Sequence, residues 1–461
     1  MGPTNLVVVS NRGPLAFTEG ADGGQIVTRG GGGLVSSLGP AVAAVGATWI
    51  AAGPGTAGSS GTAAAVVEAE GFRVRSVPID ADDYRRYYDV VANATLWFLH
   101  HGLFDLARRP QYDRHWHQAW RSFRDVNDAF ADAVADEAGP GATVVVHDYH
   151  LPLVGRTLAA LRPDLRTAYF HHTPFCEPGA LAALPDEVAG EMLAGMAGYG
   201  ACGFHSARWS AAFEACCASV LGYVPYTFVA PAAVDVDELG GVAASSECAA
   251  DFADLEALVG DRRLIVRVDR IELSKNLLRG FLAFDELLYR NPLWRGRVVF
   301  GAFVYPSRET LVDYQAYRCE VETLVARINH QWATPQWTPI MLDTSDRFSR
   351  SVAALRRADV LLVNPIRDGL NLVAKEGSVL NERDGVLVLS PHAGAWDELS
   401  RAAMAVNPFD VSATADVLVR ALEMDGAERA ARATALRADS QAGTPGRWLE
   451  DQMSQARQGS A

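Results

Sequence analysis

The sequence predicts an α/β protein with two doubly wound parallel-sheet domains in tandem. Short apolar runs alternate with longer amphipathic segments, as strands and helices do in proteins with parallel sheets. This alternation occurs twice, before and after a stretch rich in alanine and acidic residues at 231–261, and no internal repeat is visible. With 461 residues, of which 49% are apolar and 21% charged, the chain has enough apolar sequence to fill two such cores.

Apolar runs rich in β-branched residues mark the strands. In the first half they predict strands at 5–10, 48–52, 72–79, 142–148, 166–172, 201–205 and 226–231, and in the second half at 263–269, 296–304, 358–365 and 384–390. Amphipathic periodicity predicts helices at 117–138, 276–290 and 311–332. The small-residue stretch at 55–71 predicts a loop followed by a short helix, and it is not apolar enough to suggest a membrane span.

Composition excludes several classes of function. A formal net charge of −14 argues against a nucleic-acid-binding protein and leaves room only for a local basic pocket. Six irregularly spaced cysteines form neither a disulfide framework nor a CxxC zinc site, which indicates a reducing cytoplasm. The N-terminal segment lacks the pattern of a signal peptide, and no run is long and apolar enough for a membrane span. We therefore expect a cytoplasmic protein that contacts neither membrane nor nucleic acid.

Polar residues follow several strands of the first half. Arg12 comes just after the first strand, within SNRGP, and His147, Asp148 and His150 follow the strand ATVVVHD. The spacing of the two histidines lacks the helical frame of a zincin, so residues that line a sugar pocket are a better interpretation than a metal site. Four glycines at 30–33 precede a helical pattern; they predict either a hairpin tip or a close backbone approach to an anion or sugar.

Cations also follow the strands of the second half. Arg270 and Lys275 lie five residues apart between a strand and a helix start, where the helix dipole also favours a diphosphate, and Arg308 follows the next strand. An exposed turn with solvated cations is the alternative. The segment RDGLNLVAKEG, residues 367–377, follows the apolar run ADVLLVNP; taken alone it predicts a strand, a turn and a helix capped by Asn371, with nothing bound.

Six segments together resemble a known family. SNRGP, YYDVVANATLW, HDYHL, RVDRIELSKN, PSR and RDGLNLVAKEG occur in the order and near the spacing of retaining glycosyltransferases of the trehalose-6-phosphate synthase type, which include related pseudo-glycosyltransferases. The resemblance covers nearly the whole chain. It implies the GT-B architecture, with two Rossmann-like domains facing a central cleft: an acceptor-binding domain at 1–235, a nucleotide-sugar-binding domain at 236–440, and a C-terminal helix at 441–461 that packs back on the first domain.

The resemblance also implies an activity and a set of site residues. The expected reaction transfers glucose from UDP-glucose or GDP-glucose to glucose 6-phosphate with retention, giving trehalose 6-phosphate and a nucleoside diphosphate. His172 and Gly33 look like neighbours of the reacting sugars, and the residues implied for catalysis are Arg270, Lys275, Asp368 and His172. The implied acceptor contacts are Arg12, Tyr88, Trp97, Asp148 and Arg308. The implied donor contacts are Gly33, Arg270, Lys275, Asp368, Gly369, Leu370, Asn371, Leu372, Val373 and Glu376.

This interpretation gives several residues of RDGLNLVAKEG an expected role. Asp368 would accept hydrogen bonds from the donor sugar, the amides at the helix start would meet a phosphate, and Glu376 would reach the ribose one turn further on. The family is thought to react by front-face attack, with the leaving diphosphate taking the proton of the incoming hydroxyl. Arg270 and Lys275 would then stabilise the departing charge, and neither a metal nor another cofactor is expected.

One departure from the family pattern keeps alternatives open. Many members carry a second tryptophan and a glycine where Trp49 is here followed by Ile50, Ala51 and Ala52. A pseudo-glycosyltransferase that couples a nucleotide-linked cyclitol to an aminocyclitol phosphate through nitrogen would share the fold and the phosphate contacts. A silent sugar-phosphate sensor would not need the donor residues, and a dinucleotide-dependent oxidoreductase would need a G-x-G-x-x-G after its first strand, which is absent. Homo-oligomerisation is left open.

Overall fold

The computed structural model describes residues 4–19, 25–29, 33–54 and 66–459. The chain forms two compact units, the first built from Met1–Ala232 and Thr444–Ala461 and the second from Ala233–Gly443. The first unit contains strands β1 (Thr4–Val9), β2 (Leu15–Glu19), β3 (Gln25–Arg29), β4 (Thr48–Pro54), β5 (Val66–Ala69), β6 (Phe72–Ile79), β7 (Ala138–His147), β8 (Arg166–His171), β9 (Ala201–Phe204) and β10 (Thr227–Val229).

Helices surround these strands. They are α1 (Gly33–Ala44), α2 (Ala81–Arg85), α3 (Trp97–His101), α4 (Arg114–Glu137), α5 (Val154–Leu161), α6 (Pro178–Leu181), α7 (Asp186–Ala197) and α8 (Ala207–Val220), with a π-helical segment at Arg86–Leu96.

An eight-stranded sheet organises the first unit. Its strand order is β10-β9-β8-β7-β1-β4-β6-β5, and all neighbours are parallel except β5, which runs antiparallel to β6. The strands β1 and β7 lie side by side, with Val8 opposite Val145 and Val9 opposite Val146. Their continuous valine runs are fully buried, as expected for parallel strands covered on both faces. Strands β2 and β3 form a separate antiparallel hairpin.

The second unit is a six-stranded sheet with helices. Its strands are β11 (Arg263–Arg270), β12 (Val298–Tyr305), β13 (Ile340–Asp343), β14 (Val360–Val363), β15 (Val386–Leu389) and β16 (Met404–Ala405). They are all parallel and follow the order β13-β12-β11-β14-β15-β16, which is the Rossmann order. The helices are α9 (Val236–Ala243), α10 (Ser246–Val259), α11 (Leu277–Arg290), α12 (Val312–Trp332), α13 (Phe348–Arg357), α14 (Leu372–Leu380), α15 (Trp396–Leu399), α16 (Val411–Glu423) and α17 (Gly426–Ser440), with 3₁₀ turns at Leu273–Lys275 and Pro292–Trp294.

The last helix, α18 (Pro445–Gly459), belongs to the first unit. It packs on β7, β8 and β9 and on α1. Trp448 is 3% exposed, and its indole Nε1 donates to the carbonyl oxygen of Ala230 at 2.9 Å. A segment far from these strands in sequence therefore completes the core of the first unit.

The two doubly wound parallel sheets predicted from the sequence are confirmed. Each of the eleven predicted strands is present, whereas β2, β3, β5, β13 and β16 were not predicted. The short helix expected within 55–71 is wrong: residues 66–69 form β5, because the edge of β6 offers Val66 and Val67 a strand partner that outweighs their local preference. Residues 55–65 of that stretch lie outside the described ranges.

No helix in the described residues is long and apolar enough to cross a membrane. All six cysteines are free thiols; five are buried and Cys319 is exposed.

Candidate active site

Some of the predicted site residues of each unit follow the two strands between which the strand order reverses. In the first unit the chain runs outward from β1 through β4 in one direction and from β7 through β8 in the other. In the second unit the same reversal occurs between β11 and β14. Ligands of open α/β sheets bind beyond the carboxyl ends of the strands at such switch points. Arg12 and Asp148 follow β1 and β7, and Lys275 and Asp368 follow β11 and β14.

Arg12 and Tyr88 lie together in the first unit. The Nη2 atom of Arg12 donates to the Tyr88 hydroxyl at 2.9 Å, and the guanidinium lies 5.5 Å from the centroid of that ring. The backbone here is fixed by Ser10, whose hydroxyl donates to the Arg12 carbonyl at 2.6 Å and accepts from the indole of Trp49 at 2.8 Å. An exposed guanidinium held beside a phenol suits a phosphate monoester.

Asp148 joins this group through the imidazole of His150. Tyr88 stacks on His150 with centroids 5.6 Å apart, and His150 Nδ1 lies 3.7 Å from a carboxylate oxygen of Asp148. Tyr84 also stacks on Tyr88, with ring centroids 5.3 Å apart. Sequence reasoning missed Tyr84, although its spacing of four residues from Tyr88 would have indicated one helix face.

Asp148 has a backbone φ of +75°, a conformation that aspartate tolerates better than most residues. Its side chain accepts from the amide of Tyr149 at 3.0 Å, which fixes the carboxylate at the end of β7.

Trp97 and Gly33 are two further predicted site residues of the first unit. Trp97 is 2% exposed and packs on His101 with ring centroids 4.1 Å apart. Gly33 is the first residue of α1, and residues 30–32 of the glycine run lie outside the described ranges. The roles expected of both residues stay predictions.

His172 lies just after β8 and uses both ring nitrogens within the protein. Its Nε2 is 3.0 Å from Nδ1 of His147, and its Nδ1 is 3.2 Å from Nε2 of His205. Burial, followed by the neighbouring histidines, lowers the pKa of His172 well below its ordinary value. The ring is therefore neutral near pH 7 and is unsuited to proton transfer as a general acid.

In the second unit two guanidiniums share one buried carboxylate. Glu272, 1% exposed, accepts from Arg308 at 2.9 Å and is paired with Arg270 at 3.1 Å through the same oxygen. The hydroxyl of Ser307 also donates to this oxygen, at 3.0 Å. Arg270 and Arg308 thus lie side by side with one negative charge between them. The excess positive charge, at the ends of β11 and β12, favours binding of an anion.

Lys275 and Asp368 form an ion pair with 2.5 Å between Nζ and Oδ2. Asp269 lies 4.0 Å from the same ammonium. Although burial favours its neutral form, the nearby Asp368 and Asp269 raise the pKa of Lys275, so it is fully charged at neutral pH. The structure therefore brings together a cation and a carboxylate that the sequence placed 93 residues apart.

Arg267 builds the turn that carries Lys275, and sequence reasoning missed it. This fully buried guanidinium donates to the carbonyl oxygen of Lys275 at 2.5 Å, to Asn364 Oδ1 at 2.7 Å and to Asp269 at 2.9 Å. Asn364 directly follows β14, so the Arg267 side chain connects the segments that follow the two central strands, β11 and β14. The only local signal was an arginine inside an apolar strand, RLIVRVD.

The loop after β14 starts helix α14 with an asparagine cap. Asn371 has a φ of +78°, and its side-chain oxygen accepts from the amide of Ala374 at 3.2 Å. Its side-chain nitrogen donates to Asp368 at 3.1 Å, which orients that carboxylate. The first amides of the helix, at Leu372 and Val373, have no carbonyl within the helix to pair with and suit a phosphate oxygen.

A second segment, Ser390–Leu399, supports this loop and is called here the brace segment. The Asp368 amide donates to the His392 carbonyl at 3.1 Å, the Gly394 amide to the Asp368 carbonyl at 3.2 Å, and the Ala395 amide to the Leu370 carbonyl at 2.8 Å. The brace segment was not predicted to belong to the site.

An ion pair attaches the brace segment to α14. The Lys375 ammonium, 3% exposed as a residue, contacts both carboxylate oxygens of Glu398 at 2.9 and 3.0 Å. Lys375 therefore faces the brace segment, and its neighbour Glu376 is rotated by about 100° from it around the helix. Two consecutive residues of α14 therefore differ in their expected roles: Lys375 supports the loop, and Glu376 is a predicted ligand contact.

Glu376 has an unusual protonation. Burial, with a smaller contribution from the nearby Glu238 of α9, raises its pKa to about 7. The side chain is half protonated at neutral pH, and any ligand that donates hydrogen bonds to it would favour the carboxylate.

The comparisons with known proteins agree with this arrangement. The model of Glycosyltransferase family 20 matches residues 4–458. A trehalose-6-phosphate synthase of Mycobacterium sp. (strain KMS) is 34% identical over 472 residues, covering 97% of this chain and 94% of that protein. A bifunctional trehalose-6-phosphate synthase/phosphatase of Thermoproteus tenax is 33% identical over 381 residues, covering 79% of this chain. The match spans 51% of that bifunctional protein, about half of its length.

Solved structures extend the likeness to the fold. An E. coli structure with bound UDP-2-fluoro glucose has a TM-score of 0.86 and 30% identity, covering 98% of this chain and 99% of that one. A UDP-forming α,α-trehalose-phosphate synthase of Burkholderia xenovorans in complex with glucose-6-phosphate has a TM-score of 0.87 and 30% identity, covering 98% of this chain and 100% of that one. The chain belongs to glycosyltransferase family 20, whose model matches it from residue 4 to residue 458.

Proposed function

We propose that this protein is an α,α-trehalose-phosphate synthase that transfers glucose from a nucleotide-glucose to glucose 6-phosphate with retention. The observation that carries the proposal is the Lys275–Asp368 ion pair at the switch point of the second sheet, beside the Arg270–Glu272–Arg308 cluster, in a chain of glycosyltransferase family 20. The E. coli and Burkholderia neighbours were solved with a UDP-sugar and with glucose-6-phosphate, which makes UDP-glucose the first donor to test.

We assign the two substrates to two sets of residues. The acceptor-binding domain is placed at 1–235 and the donor-binding domain at 236–440, with residues 441–461 as the C-terminal helix. Arg12, Tyr88, Trp97, Asp148 and Arg308 would hold the acceptor. On the donor side the contacts would be Gly33, Arg270, Lys275, Asp368, Gly369, Leu370, Asn371, Leu372, Val373 and Glu376. We place the protein in the cytoplasm, in accord with its six free thiols.

The proposed mechanism relies on positioning and charge. Asp368 would accept hydrogen bonds from hydroxyls of the donor sugar, and Gly369 lets that sugar approach the backbone. When the bond to the diphosphate breaks, Arg270 and Lys275 stabilise the departing negative charge. The diphosphate takes the proton of the attacking acceptor hydroxyl, so His172, neutral and bonded at both nitrogens, is not required as a base.

The decisive experiment measures nucleoside diphosphate release by the purified protein with glucose 6-phosphate and UDP-, GDP- or ADP-glucose. We expect release that depends on the acceptor and is fastest with one donor, together with a non-reducing disaccharide phosphate. Lack of release with every donor would contradict the proposal. Release on offering a nucleotide-linked cyclitol and an aminocyclitol phosphate would then identify a pseudo-glycosyltransferase, and binding without release would identify a sensor.

Arg308→Ala is expected to weaken glucose 6-phosphate binding by about 2 to 3 kcal/mol, because a charge-assisted contact to phosphate is lost. Isothermal titration with glucose 6-phosphate measures this directly. Arg318→Ala removes a half-buried arginine of α12 that is paired with Glu309 and Glu322; it serves as the control, with no expected change. Arg308 also touches Glu272, the partner of Arg270. If donor affinity falls and acceptor affinity does not, Arg308 belongs to the donor site instead.

Donor binding is expected to strengthen as pH rises through about 7, because the carboxylate of Glu376 must be ionised to accept hydrogen bonds from the ribose. With a carboxyl pKa near 7, the ionised fraction of Glu376 grows from about one tenth at pH 6 to about nine tenths at pH 8. Because the ionised form binds the donor, the affinity should rise about tenfold over this range. Calorimetry with the nucleotide-glucose, whose diphosphate does not titrate in this range, measures it.

Two variants of this pair provide the controls. Glu376→Gln should bind more weakly and show a flat pH profile. Glu238→Gln should move the profile to lower pH, because Glu238 contributes to the raised pKa. A wild-type affinity that does not change between pH 6 and 8 would remove Glu376 from the donor site.

A further inference from the structure

Three histidines follow three adjacent parallel strands of the first unit. His147 ends β7, His172 comes one residue after β8, and His205 comes one residue after β9. Because neighbouring strands end at the same edge, the three rings line up. His147 Nδ1 lies 3.0 Å from His172 Nε2, and His172 Nδ1 lies 3.2 Å from His205 Nε2. The rings form one continuous row, called here the histidine chain.

A backbone amide determines which ring donates and which accepts in each hydrogen bond of the histidine chain. The amide of Ala232 donates to His205 Nδ1 at 3.3 Å, so this nitrogen carries no proton. A neutral His205 must then hold its proton on Nε2 and donate to His172 Nδ1. His172 must in turn hold its proton on Nε2 and donate to His147 Nδ1.

The opposite direction fails at the same amide. If His147 Nδ1 donated to His172 Nε2, then His172 Nδ1 would carry the proton and donate to His205 Nε2. His205 would then be protonated on Nδ1, where two hydrogens would meet, its own and that of the Ala232 amide. Of the two arrangements of three neutral rings, only the first satisfies all three contacts; it leaves the last proton on His147 Nε2, a buried nitrogen without a hydrogen-bond partner among the described residues.

The surroundings keep the rings of His147 and His172 neutral. Burial lowers the pKa of His147 to about 3, and burial and the neighbouring histidines lower that of His172. The aromatic groups packed against the row are Phe170 and Trp448, the latter with centroids 5.9 to 6.1 Å from all three imidazoles. After burial, the groups that lower the pKa of His172 most are His205, His147, His171 and His150, and each of them disfavours an imidazolium.

We propose that His205 is a positioning residue for the transferase reaction: held by the Ala232 amide, it imposes the Nε2–H tautomer and ring orientation on His172 and, through it, on His147. The inference rests on the proposed function in one respect, the expected place of His172 beside the reacting sugars. His205 itself acts only through His172. The site would thereby contain a histidine that is fixed in orientation without any charged partner.

Nitrogen-15 NMR of the histidine rings in the full-length protein tests the tautomers without reference to activity. We expect His147, His172 and His205 each to be protonated on Nε2 alone at pH 7 to 8. In His205→Ala, His172 loses its imposed partner, and we expect its spectrum to show a mixture of tautomers. An Nδ1–H tautomer or an imidazolium at His172 in the wild type would overturn the proposal, even if every variant failed to fold.

Kinetics of the same variants test the positioning role. His205→Gln supplies an oxygen for the Ala232 amide and an N–H for His172, so we expect it to restore the His172 tautomer and most of kcat. His205→Ala should lower kcat by roughly tenfold or more and change the donor KM much less. His117→Ala, an exposed histidine on α4, is the control and should change neither.

The outcomes separate the two proposals. A wild type with the expected tautomers but no transferase activity would contradict the proposed function and leave the histidine chain in place. An active wild type in which His205→Ala and His205→Gln both retain full kcat would contradict the positioning role alone.

Discussion

Lys275→Ala is expected to lower kcat by about two to three orders of magnitude, because the ammonium is the cation aimed at the charge that develops on the leaving diphosphate. The side chain is 13% exposed and is held by Asp368 at 2.5 Å, so its position is fixed before the donor binds. Steady-state kinetics with the preferred donor measure the effect. Acceptor binding should change little, since the proposed acceptor contacts do not include Lys275.

The same substitution should also cost stability. It leaves Asp368 and the buried Asp269 without their shared cation, and Arg267 remains as the only other partner of Asp269 among the ion pairs of the described residues. A loss of up to about 3 kcal/mol in the free energy of unfolding is expected. Denaturant titration therefore accompanies the kinetics, which are measured where the variant is fully folded.

Two control variants make the Lys275 result interpretable. Arg290→Ala removes an ion pair with Asp416 on the surface of α11 and should leave kcat unchanged. Lys275→Arg keeps the positive charge but not its position, and should fall between the alanine variant and the wild type. A folded Lys275→Ala protein with wild-type kcat would exclude this residue from the mechanism.

Gly394→Ala is expected to lower kcat/KM for the donor by about a hundredfold, because a Cβ at this position would lie only 2.0 Å from the carbonyl oxygen of Gly369. The nearest atoms are all backbone atoms of Gly369 and Leu370, which cannot move aside as a flexible side chain would. The Asp368 loop must therefore shift, and with it the carboxylate that faces Lys275. Acceptor affinity, measured by calorimetry, should stay the same.

Gly426→Ala is the matched control for this substitution. It makes the same change in the same unit, and a Cβ there meets no atom within 4 Å. We expect wild-type kinetics from it. Gly394→Ala with unchanged donor kinetics would show that the brace segment does not fix the geometry of the donor loop.

Local patterns were sufficient to predict the fold class and many of the site candidates. Strands such as β7 and β11 are continuous apolar runs, because parallel strands bury both faces. The polar residues that follow them, Asp148 and Lys275, are therefore easy to see in the sequence. Family resemblance supplied the expected roles. The short strands β5, β13 and β16 were not visible, since two to four residues at or near a sheet edge carry too little pattern.

The sequence by itself therefore determined two doubly wound sheets with cations and carboxylates at the ends of particular strands. Only the tertiary structure decided which of these ends are neighbours, because strand order is set by packing between residues far apart in the chain. It paired Lys275 with Asp368, placed Arg267 beneath their turn and set Gly394 against Gly369. It also aligned His147, His172 and His205, and a single amide at Ala232 fixed their protons, which no local pattern encodes.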